Sequence, residues 1–468
     1  MERECSLLQV QKRFKQQIEF NLLTAHRIKS LEYSIARPTS GKKFIELISS
    51  FSICIFFSDT RLIAVITNFS FKILHPKIVQ KQFSFVNFEK KIMKPIQMVD
   101  LKGQYAFIKP EVDDALQKVL ETTSFINGPA VLEFQADLET YLGVKHVIPC
   151  ANGTDALQIA LMGLGLKPGD EIITADFTFA ATVEVIGLLN LTPVLVDVDP
   201  KTFNISPAEI EKAITSKTKA IIPVHLFGQS APMDEIMELA HKHNLFVIED
   251  NAQGIGATYT HKDGTKAKTG TIGHVAATSF FPSKNLGAYG DGGAIFTNDD
   301  DLAHLIRGIV NHGMYTRYYH DVVGVNSRLD SMQAAVLKIK LQYLDYYNER
   351  RKTAAIQYSQ LLSDHPNIIT PFRLADCNSH VFHQYTLRII NHDRDGLVQF
   401  LNANDIPCGV YYPVPLHAQK AYTHDGYNEA DFAVTNQLVQ EVISLPMHSE
   451  LTLDQVEHIT LKIKEFLV

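Results

Sequence analysis

The chain has 468 residues, of which 46% are hydrophobic and 20% charged, and its formal net charge is -7. These values are typical of a globular protein with one large and one smaller domain, and they exclude the broad basic surface of a nucleic-acid-binding protein. The five cysteines (Cys5, Cys54, Cys150, Cys377 and Cys408) are scattered and form no CxxC pair. This pattern argues against a disulfide framework or a metal site, and favours reduced thiols in the cytoplasm.

Residues 1–92 differ in pattern from the rest of the chain. They show no alternation of strands and helices, and their two apolar runs, 44–57 and 62–74, are each shorter than the roughly 20 residues of a membrane-spanning helix. One interpretation is an extension outside the main fold that is poorly ordered or touches a membrane. The other, which we prefer, is a working protein that begins at Met93, because the residues after it resemble a complete chain opening.

From Met93 onward, amphipathic and continuous apolar segments alternate. Amphipathic helices are predicted at 110–122 and 129–142. The segments that follow are strands at 146–150, 171–175, 193–198, 220–226, 245–249 and 275–281, with helices at 155–163, 180–189, 207–214 and around 233–240. Strands that are apolar throughout and separated by helices indicate a doubly wound, mostly parallel sheet in an α/β domain, here residues 93–328.

The pattern changes after Asn326. Apolar residues at spacings of three and four predict a long helix over 330–362. It leads into a smaller C-terminal α+β domain, 329–468, with a strand near 384–389 and helices at 395–403, 432–442 and 453–466. Residues before Pro129 could pack on this smaller domain.

The most informative stretch is residues 278–298, TSFFPSKNLGAYGDGGAIFTN. Lys284 lies between an apolar strand end and a glycine-rich turn, where the backbone can approach a ligand closely. A partly desolvated lysine has a lowered pKa and becomes a nucleophilic amine suited to Schiff-base chemistry. The alternative is an ordinary solvated surface lysine.

Three other positions bear on Lys284. At Gly153 and Thr154 a strand leads into a helix whose free N–H groups could hold a phosphate, although an ordinary capped helix is the alternative. Asp250 ends a buried strand and could pair with a heteroaromatic nitrogen, or else cap a turn or bind magnesium. Phe179 could stack on a ring or belong to the core. Together these groups meet the needs of pyridoxal 5'-phosphate.

Five motifs extend this match: CANGTDALQIAL, ADFTFAATVEVI, IEDNAQGIGA, TSFFPSKNLGAYGDGGAIFTND and GVNSRLDSMQAA. With them, residues 93–468 resemble the sugar aminotransferases of the DegT/DnrJ/StrS family, which have the aspartate-aminotransferase fold (fold type I). The resemblance implies that Lys284 bonds to the cofactor aldehyde and transfers protons, while Asp250 keeps the pyridine nitrogen protonated. It further implies cofactor contacts for Gln253 (ring hydroxyl), Phe179 (ring stacking), Gly153, Thr154 and Ser279 (phosphate), and Asn326 (phosphate of the neighbouring subunit).

The resemblance also implies an assembly and a reaction. The assembly is a homodimer with shared active sites. Because Lys284 is present, where related dehydratases have histidine, the reaction is transamination from L-glutamate to a nucleotide-linked keto-sugar.

Within the family, the closest match is to enzymes that aminate C3 of UDP-linked 2-acetamido-2-deoxy-3-oxo-uronates for surface polysaccharides such as lipopolysaccharide O-antigen. Arg328 would then meet a carboxylate or diphosphate. Tyr411, where many relatives have histidine, would face the sugar. A dTDP-linked 3-oxo-6-deoxyhexose is the alternative substrate, and a non-catalytic regulatory protein of the same fold is the alternative function.

Overall fold

The computed structural model describes residues 52–58, 61–67, 93–373, 378–423 and 426–468. The chain divides into two compact units, Met1–Ile92 and Met93–Val468. In the first unit, β1 (Ser52–Ser58) pairs antiparallel with β2 (Arg61–Thr67). The remainder of residues 1–92, and with it the expectation of a poorly ordered extension or a misplaced start, lies outside the described residues. Among the described residues, no helix combines the length and apolar character needed to cross a membrane.

The second unit opens with two helices, and strands and helices alternate from His146 onward. Its strands are β3 (His146–Cys150), β4 (Glu171–Ala175), β5 (Thr192–Val196), β6 (Thr218–Ile222), β7 (Phe246–Asp250), β8 (Thr258–Thr260), β9 (Lys266–Lys268), β10 (Val275–Ser279), β11 (Gly293–Thr297), β12 (Met314–Thr316), β13 (Tyr319–His320), β14 (Ile368–Ile369), β15 (Tyr385–Ile389) and β16 (Val442–Leu445). Its helices are α1 (Leu101–Thr122), α2 (Pro129–Leu142), α3 (Gly153–Gly163), α4 (Ala181–Leu188), α5 (Pro207–Ala213), α6 (Met233–His243), α7 (Asp300–Ile309), α8 (Ser331–Leu341), α9 (Leu344–Leu362), α10 (Arg394–Ala403), α11 (Ala433–Glu441) and α12 (Leu453–Phe466).

A seven-stranded sheet forms the centre of this unit, in the order β3-β11-β10-β7-β6-β4-β5. Strand β11 runs antiparallel to both of its neighbours, β3 and β10. The remaining neighbours in the sheet, from β10 through β7, β6 and β4 to β5, are all parallel. Apolar side chains of the strands pack against helices to form two buried clusters, one containing Ile172 and Ile248 and the other Ile173 and Val247. Neighbouring residues of one strand thus face opposite layers, as in a sheet covered on both faces. The predicted doubly wound, mostly parallel fold is confirmed.

A smaller antiparallel sheet, β14-β15-β16, lies in the C-terminal part. Its core includes Tyr358 of α9 and Tyr385 of β15, whose rings stack 4.8 Å apart. The segment that opens the second unit packs here, because the Met447 N–H donates to the Met98 carbonyl at 3.2 Å and Gln455 Nε2 donates to the Lys94 carbonyl at 3.2 Å.

The structure corrects three predicted boundaries. Helix α1 begins at Leu101 rather than at residue 110, because the Asp100 carboxylate accepts the Gly103 N–H at 2.8 Å and caps it, and Pro110 is accommodated inside the helix. The predicted helix over 330–362 is two helices, α8 and α9. The backbone of Tyr343, with φ -105° and ψ 0°, separates them. Strand β16 occupies Val442–Leu445, where only a helix up to residue 442 was predicted.

Candidate active site

The carboxyl ends of β3, β4, β7 and β10 meet at one edge of the central sheet. Asp250 is the last residue of β7 and pairs with Ala277 of β10, two residues before that strand ends at Ser279. Ser279 in turn pairs with Gly293, and Gly293 pairs with Cys150 at the end of β3. The register therefore brings the predicted residues of separate motifs to the edge where parallel sheets bind their ligands.

Lys284 belongs to a tight loop that follows β10. The Lys284 N–H donates to the Phe281 carbonyl at 2.8 Å, and the Ala288 N–H donates to the Phe280 carbonyl at 2.7 Å. A side chain at Gly287 would place its Cβ 2.3 Å from the Pro282 carbonyl oxygen, so this turn requires glycine. The Lys284 side chain is half-buried. Burial lowers the pKa of Lys284 to about 8, against the opposing effect of the Asp250 charge, so about a tenth of it is free amine at pH 7, far more than for an ordinary lysine.

Asp250 is buried and held by two donors. Thr182 Oγ1 donates to one carboxylate oxygen at 2.8 Å, and the Ala252 N–H donates to the other at 3.1 Å. Burial raises the pKa of Asp250, while these two hydrogen bonds and the positive charge of Lys284 oppose the rise. Sequence reasoning missed Thr182, which is 68 residues away along the chain. No local signal marks it beyond its position three residues after Phe179.

A second buried carboxylate supports this strand end. Glu249 accepts N–H groups of Gly270, Ile272 and Gly273 at 2.6–2.7 Å, and His225 Nε2 lies 2.8 Å away. Because His225 Nδ1 accepts the Ala231 N–H at 3.1 Å, its Nε2 carries the proton and donates to Glu249. Burial acts against the Glu249 charge, but the hydrogen bonds from His225, Gly273 and Gly270 prevail and lower the pKa of Glu249. The pair fixes the loop before β10 next to Asp250. Its signal in the sequence was a histidine and a glutamate at the ends of buried strands.

The start of α3 forms an open cradle against β10. Asn152 accepts the Asp155 N–H at 2.8 Å, so the helix is capped, while the N–H groups of Gly153 and Thr154 have no acceptor within the helix. A Cβ on Gly153 would lie 2.6 Å from the Ser279 Cβ. Because that Cβ is absent, the start of α3 lies directly against Ser279, whose hydroxyl accepts the Phe281 N–H at 3.3 Å and has a proton left to donate. Two free N–H groups and a hydroxyl at a helix start are the donors that a phosphate requires.

Aromatic rings line the neighbouring part of the edge. Phe179 is 57% exposed, although most phenylalanines at such strand ends are buried. Its ring centre lies 6.2 Å from that of Tyr412, which stacks against Phe227 at 6.5 Å. An exposed ring beside an aromatic cluster suits a flat heterocycle.

Gln253 is buried between this cluster and β7. Its Oε1 accepts the Phe227 N–H at 2.7 Å, and its Nε2 donates to the Tyr412 hydroxyl at 3.3 Å. The sequence analysis assigned Tyr411 to the sugar and gave no role to its neighbour Tyr412. Tyr411 packs beside Gly409, where a Cβ would lie 2.8 Å from the Tyr411 ring, whereas Tyr412 is the tyrosine that contacts Gln253.

The loop before α8 carries the two remaining predicted residues. Asn326 is exposed and forms a bridge with Asn311, whose Oδ1 accepts Arg328 Nη1 at 3.2 Å. Between them, the buried Ser327 hydroxyl accepts the Ala151 N–H at 3.1 Å. The loop therefore lies against the start of the α3 cradle through Ser327, while Asn326 faces outward.

These groups fit pyridoxal 5'-phosphate. The Gly153–Ser279 cradle matches the phosphate, and the buried Asp250 carboxylate matches a protonated ring nitrogen. Exposed Phe179 matches the ring face, and the Lys284 amine matches the aldehyde. When bound, the cofactor supplies an electron sink for bonds broken at the substrate carbon. Among the described residues no three His, Cys, Asp or Glu side chains are grouped as metal ligands.

Comparison with known proteins agrees with this geometry. The model of the DegT/DnrJ/EryC1/StrS aminotransferase family matches residues 107–464. A UDP-2-acetamido-2-deoxy-3-oxo-D-glucuronate aminotransferase of Pseudomonas aeruginosa is 47% identical over 356 residues, which are 76% of this chain and 96% of that protein. A pleiotropic regulatory protein of Geobacillus stearothermophilus is 48% identical over 373 residues, 79% of this chain and 98% of that protein.

A solved structure gives the same result for the fold. S. venezuelae DesV in complex with a ketimine intermediate superposes with a TM-score of 0.76 at 38% sequence identity, and the match covers 80% of this chain and 98% of DesV.

Proposed function

The chain belongs to the DegT/DnrJ/EryC1/StrS aminotransferase family, and from this premise we propose that it transfers an amino group from L-glutamate to C3 of a UDP-linked 2-acetamido-2-deoxy-3-oxo-uronate. That it is a pyridoxal-phosphate-dependent sugar aminotransferase follows from the family and the close relatives. The observation that supports the uronate is the 47% identity over nearly the whole length of the Pseudomonas aeruginosa enzyme.

We propose that Lys284 bonds to the cofactor aldehyde and moves the proton between the two carbon atoms involved in transamination. Its depressed pKa, about 8, lets the same amine accept a proton and return it near neutral pH. Asp250, desolvated and oriented by Thr182, would hold the ring nitrogen protonated. Gly153, Thr154 and Ser279 would hold the phosphate, Phe179 would stack on the ring, and Gln253 would lie beside the ring hydroxyl.

Arg328 is the proposed contact for the acidic part of the sugar nucleotide. Asn311 orients its guanidinium through a 3.2 Å hydrogen bond, and the side chain is half-buried. A guanidinium held in this way can bind a carboxylate or diphosphate with two parallel hydrogen bonds. Tyr411 is the proposed contact on the sugar side. A dTDP-linked 3-oxo-6-deoxyhexose lacks the carboxylate and is the alternative acceptor.

We also propose a homodimer in the cytoplasm, with Asn326 completing the phosphate site of the neighbouring subunit. The support is that Asn326 is exposed on a loop whose next residue, Ser327, is bonded to the phosphate cradle of its own subunit. Exposed side chains of the β12–β13 hairpin and of the loop that follows it, Tyr318, Tyr319 and Val323, are 68–86% accessible and apolar enough to favour association.

The function is tested by incubating the protein with glutamate and a panel of nucleotide keto-sugars and detecting amination by mass spectrometry. The UDP-3-oxo-uronate should gain the amino group most efficiently. Preference for a dTDP-3-oxo-6-deoxyhexose would select the alternative substrate. The name of the Geobacillus stearothermophilus relative gives reason to test a regulatory role as well. A protein without turnover would bind the cofactor but show no change in its absorbance band when glutamate is added.

A further inference from the structure

One segment connects the small sheet with the edge of the central sheet that holds the candidate site. We call residues 409–417 the strap. At its first end, Gly409 pairs with Ser444 of β16: the Gly409 N–H donates to the Ser444 carbonyl at 3.0 Å, and the Ser444 N–H donates back at 2.7 Å. At its other end, the strap is attached to Asp176, the residue that directly follows β4.

Both oxygens of the Asp176 carboxylate are used by a single residue of the strap. One accepts the backbone N–H of His417 at 2.7 Å, and the other accepts Nδ1–H of the same residue at 2.7 Å. The Leu416 N–H adds a bond to the Asp176 carbonyl at 3.3 Å. The Asp176 side chain is 0% exposed and that of His417 is 3% exposed, so water hardly competes for these bonds.

The outer side of His417 is also fixed. Its ring stacks on Phe432 at 4.2 Å, with 9° between the planes, and its Nε2 lies 3.2 Å from the Glu429 carboxylate. Glu429 is exposed, so this outer contact is screened by solvent. The inner contact with Asp176 is therefore the strong one.

The strap carries Tyr412 over the candidate site. The Tyr412 ring lies 6.0 Å from Phe177, which directly follows Asp176, and 6.2 Å from Phe179. Its hydroxyl accepts Gln253 Nε2 at 3.3 Å. The attachment point Asp176 and two rings that Tyr412 contacts, Phe177 and Phe179, thus belong to the same short segment after β4. Only residues 413–416 separate Tyr412 from His417, so we expect a displacement of His417 to move Tyr412 as well.

A buried carboxylate and imidazole cost desolvation, and an apolar pair of similar volume often stabilises a fold as well or better. Stability alone therefore gives no reason to place a buried Asp176–His417 pair here. Holding the strap in one position does give a reason.

We propose that Asp176 and His417 are positioning residues of the active site, which fix Tyr412 and, through it, the amide of Gln253 and the ring of Phe179. The inference rests on the proposed function, because it assumes that Gln253 and Phe179 face the cofactor.

The test compares two substitutions of similar polarity, His417→Asn and His417→Gln. The Asn side chain places an N–H near the position of Nδ1, whereas the Gln side chain places it near Nε2. The His417→Gln protein should bind pyridoxal phosphate on the order of 10- to 100-fold more weakly, and the His417→Asn protein should stay within about threefold of the unmodified protein. Glu429→Gln, which removes only the exposed partner, is the matched control and should change binding less than about twofold.

A double-mutant cycle separates positioning from general damage. In a Tyr412→Ala background, His417→Gln should weaken cofactor binding by less than about twofold, because the residue through which it acts is gone. Additive losses, or equal losses in the Asn and Gln proteins, would overturn the proposal. So would unchanged binding in the Gln protein.

Hydrogen exchange gives a readout that needs no cofactor. The backbone amides of residues 416 and 417 should exchange faster in the His417→Gln protein than in the His417→Asn protein. Equal protection in the two proteins would contradict the proposal that the side chain of residue 417 attaches the strap to Asp176. Borohydride labelling of the unmodified protein keeps the two proposals distinguishable. If Lys284 is labelled and the cycle is additive, the positioning role alone fails. If Lys284 is not labelled, the proposed function fails and the positioning role falls with it.

Discussion

Two buried regions of this protein each centre on a lysine whose pKa is depressed, and both involve the same glycine-rich loop. Lys284 belongs to that loop, and burial lowers the pKa of Lys284 to about 8. Lys340 of α8 donates to the Gly287 carbonyl of the loop, and burial together with the Arg351 charge lowers the pKa of Lys340 to about 7. By pKa alone, Lys340 would have at least as large a free-amine fraction as Lys284 near neutral pH.

The surroundings of the two amines separate them. Lys340 is 0% exposed, its Nζ is engaged by Gly287, and the Tyr289 ring lies 5.4 Å away. Lys284 is half-buried at the ligand edge of the sheet, with the Asp250 carboxylate near enough to influence its pKa. A depressed pKa therefore supplies a free amine at both positions. Only Lys284 is also accessible to a ligand and close to a carboxylate, and these two features make it the candidate for binding the cofactor. Lys340 supports the loop that Lys284 uses.

The largest expected effect is the loss of the Lys284 amine. Lys284→Ala should reduce turnover by at least about a thousandfold, because it removes the amine proposed to bond to the cofactor aldehyde and to transfer the proton. Asp250 and the phosphate cradle should still retain the cofactor without a covalent bond, which equilibrium dialysis would measure. Lys340→Met is the matched control and should keep readily measurable turnover. Equal losses of turnover in the two proteins would contradict the assignment of separate roles to Lys284 and Lys340.

The next largest effect is expected at Asp250, the carboxylate whose charge acts on Lys284. Asp250→Asn should retain the fold, since the amide oxygen can still accept the Ala252 N–H and the Thr182 hydroxyl can accept from the amide NH2. It should nevertheless lose on the order of a hundredfold or more in kcat. Steady-state kinetics together with circular dichroism checks this. Near-normal turnover in a folded protein would mean that the carboxylate has another role.

The reactivity of the two amines should differ in its pH dependence. In the cofactor-free protein, acetylation of Lys284 should rise with pH, with a midpoint near 8, because only the neutral amine reacts. At pH 8 its free-amine fraction should be about a hundredfold above that of an ordinary lysine. Asp250→Asn should move the midpoint downward, because the Asp250 charge raises the pKa of Lys284. Peptide mapping after acetic anhydride treatment measures this, and Lys340 should remain unlabelled in the folded protein. A midpoint near 10 would contradict the burial argument.

The smallest functional effect is expected at Lys340, whose influence should appear in stability. Between about pH 7 and 10 the folded protein has released the Lys340 proton while the unfolded chain still holds it, so the free energy of unfolding rises with pH. Lys340→Met removes this pH dependence. We define the difference as the unfolding free energy of the unmodified protein minus that of the Met protein, and this signed difference should grow with pH by on the order of a few kcal/mol. Urea unfolding of both cofactor-free proteins at several pH values checks the sign. A difference that shrinks with pH would mean that Lys340 is not buried as a neutral amine.

The positions of several candidate-site residues could be predicted because they lie in short motifs at strand ends. Asp250 ends a continuous apolar strand, Gly153 and Lys284 come shortly after one, and parallel strands bring such ends to one edge. The fold class followed from the same strands and from the helices between them.

The parts that were missed depend on contacts between distant segments. His417 meets Asp176 across 241 residues, and Gln253 meets Tyr412 across 159. No local spacing encodes these pairs. The break between α8 and α9 was missed for a related reason. Both helices carry apolar residues at helical spacing, so the periodicity continues across Tyr343 although the backbone does not.

The most direct measurement is borohydride reduction of the pyridoxal-phosphate-loaded protein followed by peptide mapping. The pyridoxyl group should be found on the peptide that contains Lys284, and it should be absent from that peptide in the Lys284→Ala protein. A pyridoxyl group on the peptide of Lys340, or of any other lysine, would contradict the assignment of Lys284 and the difference drawn between the two buried amines.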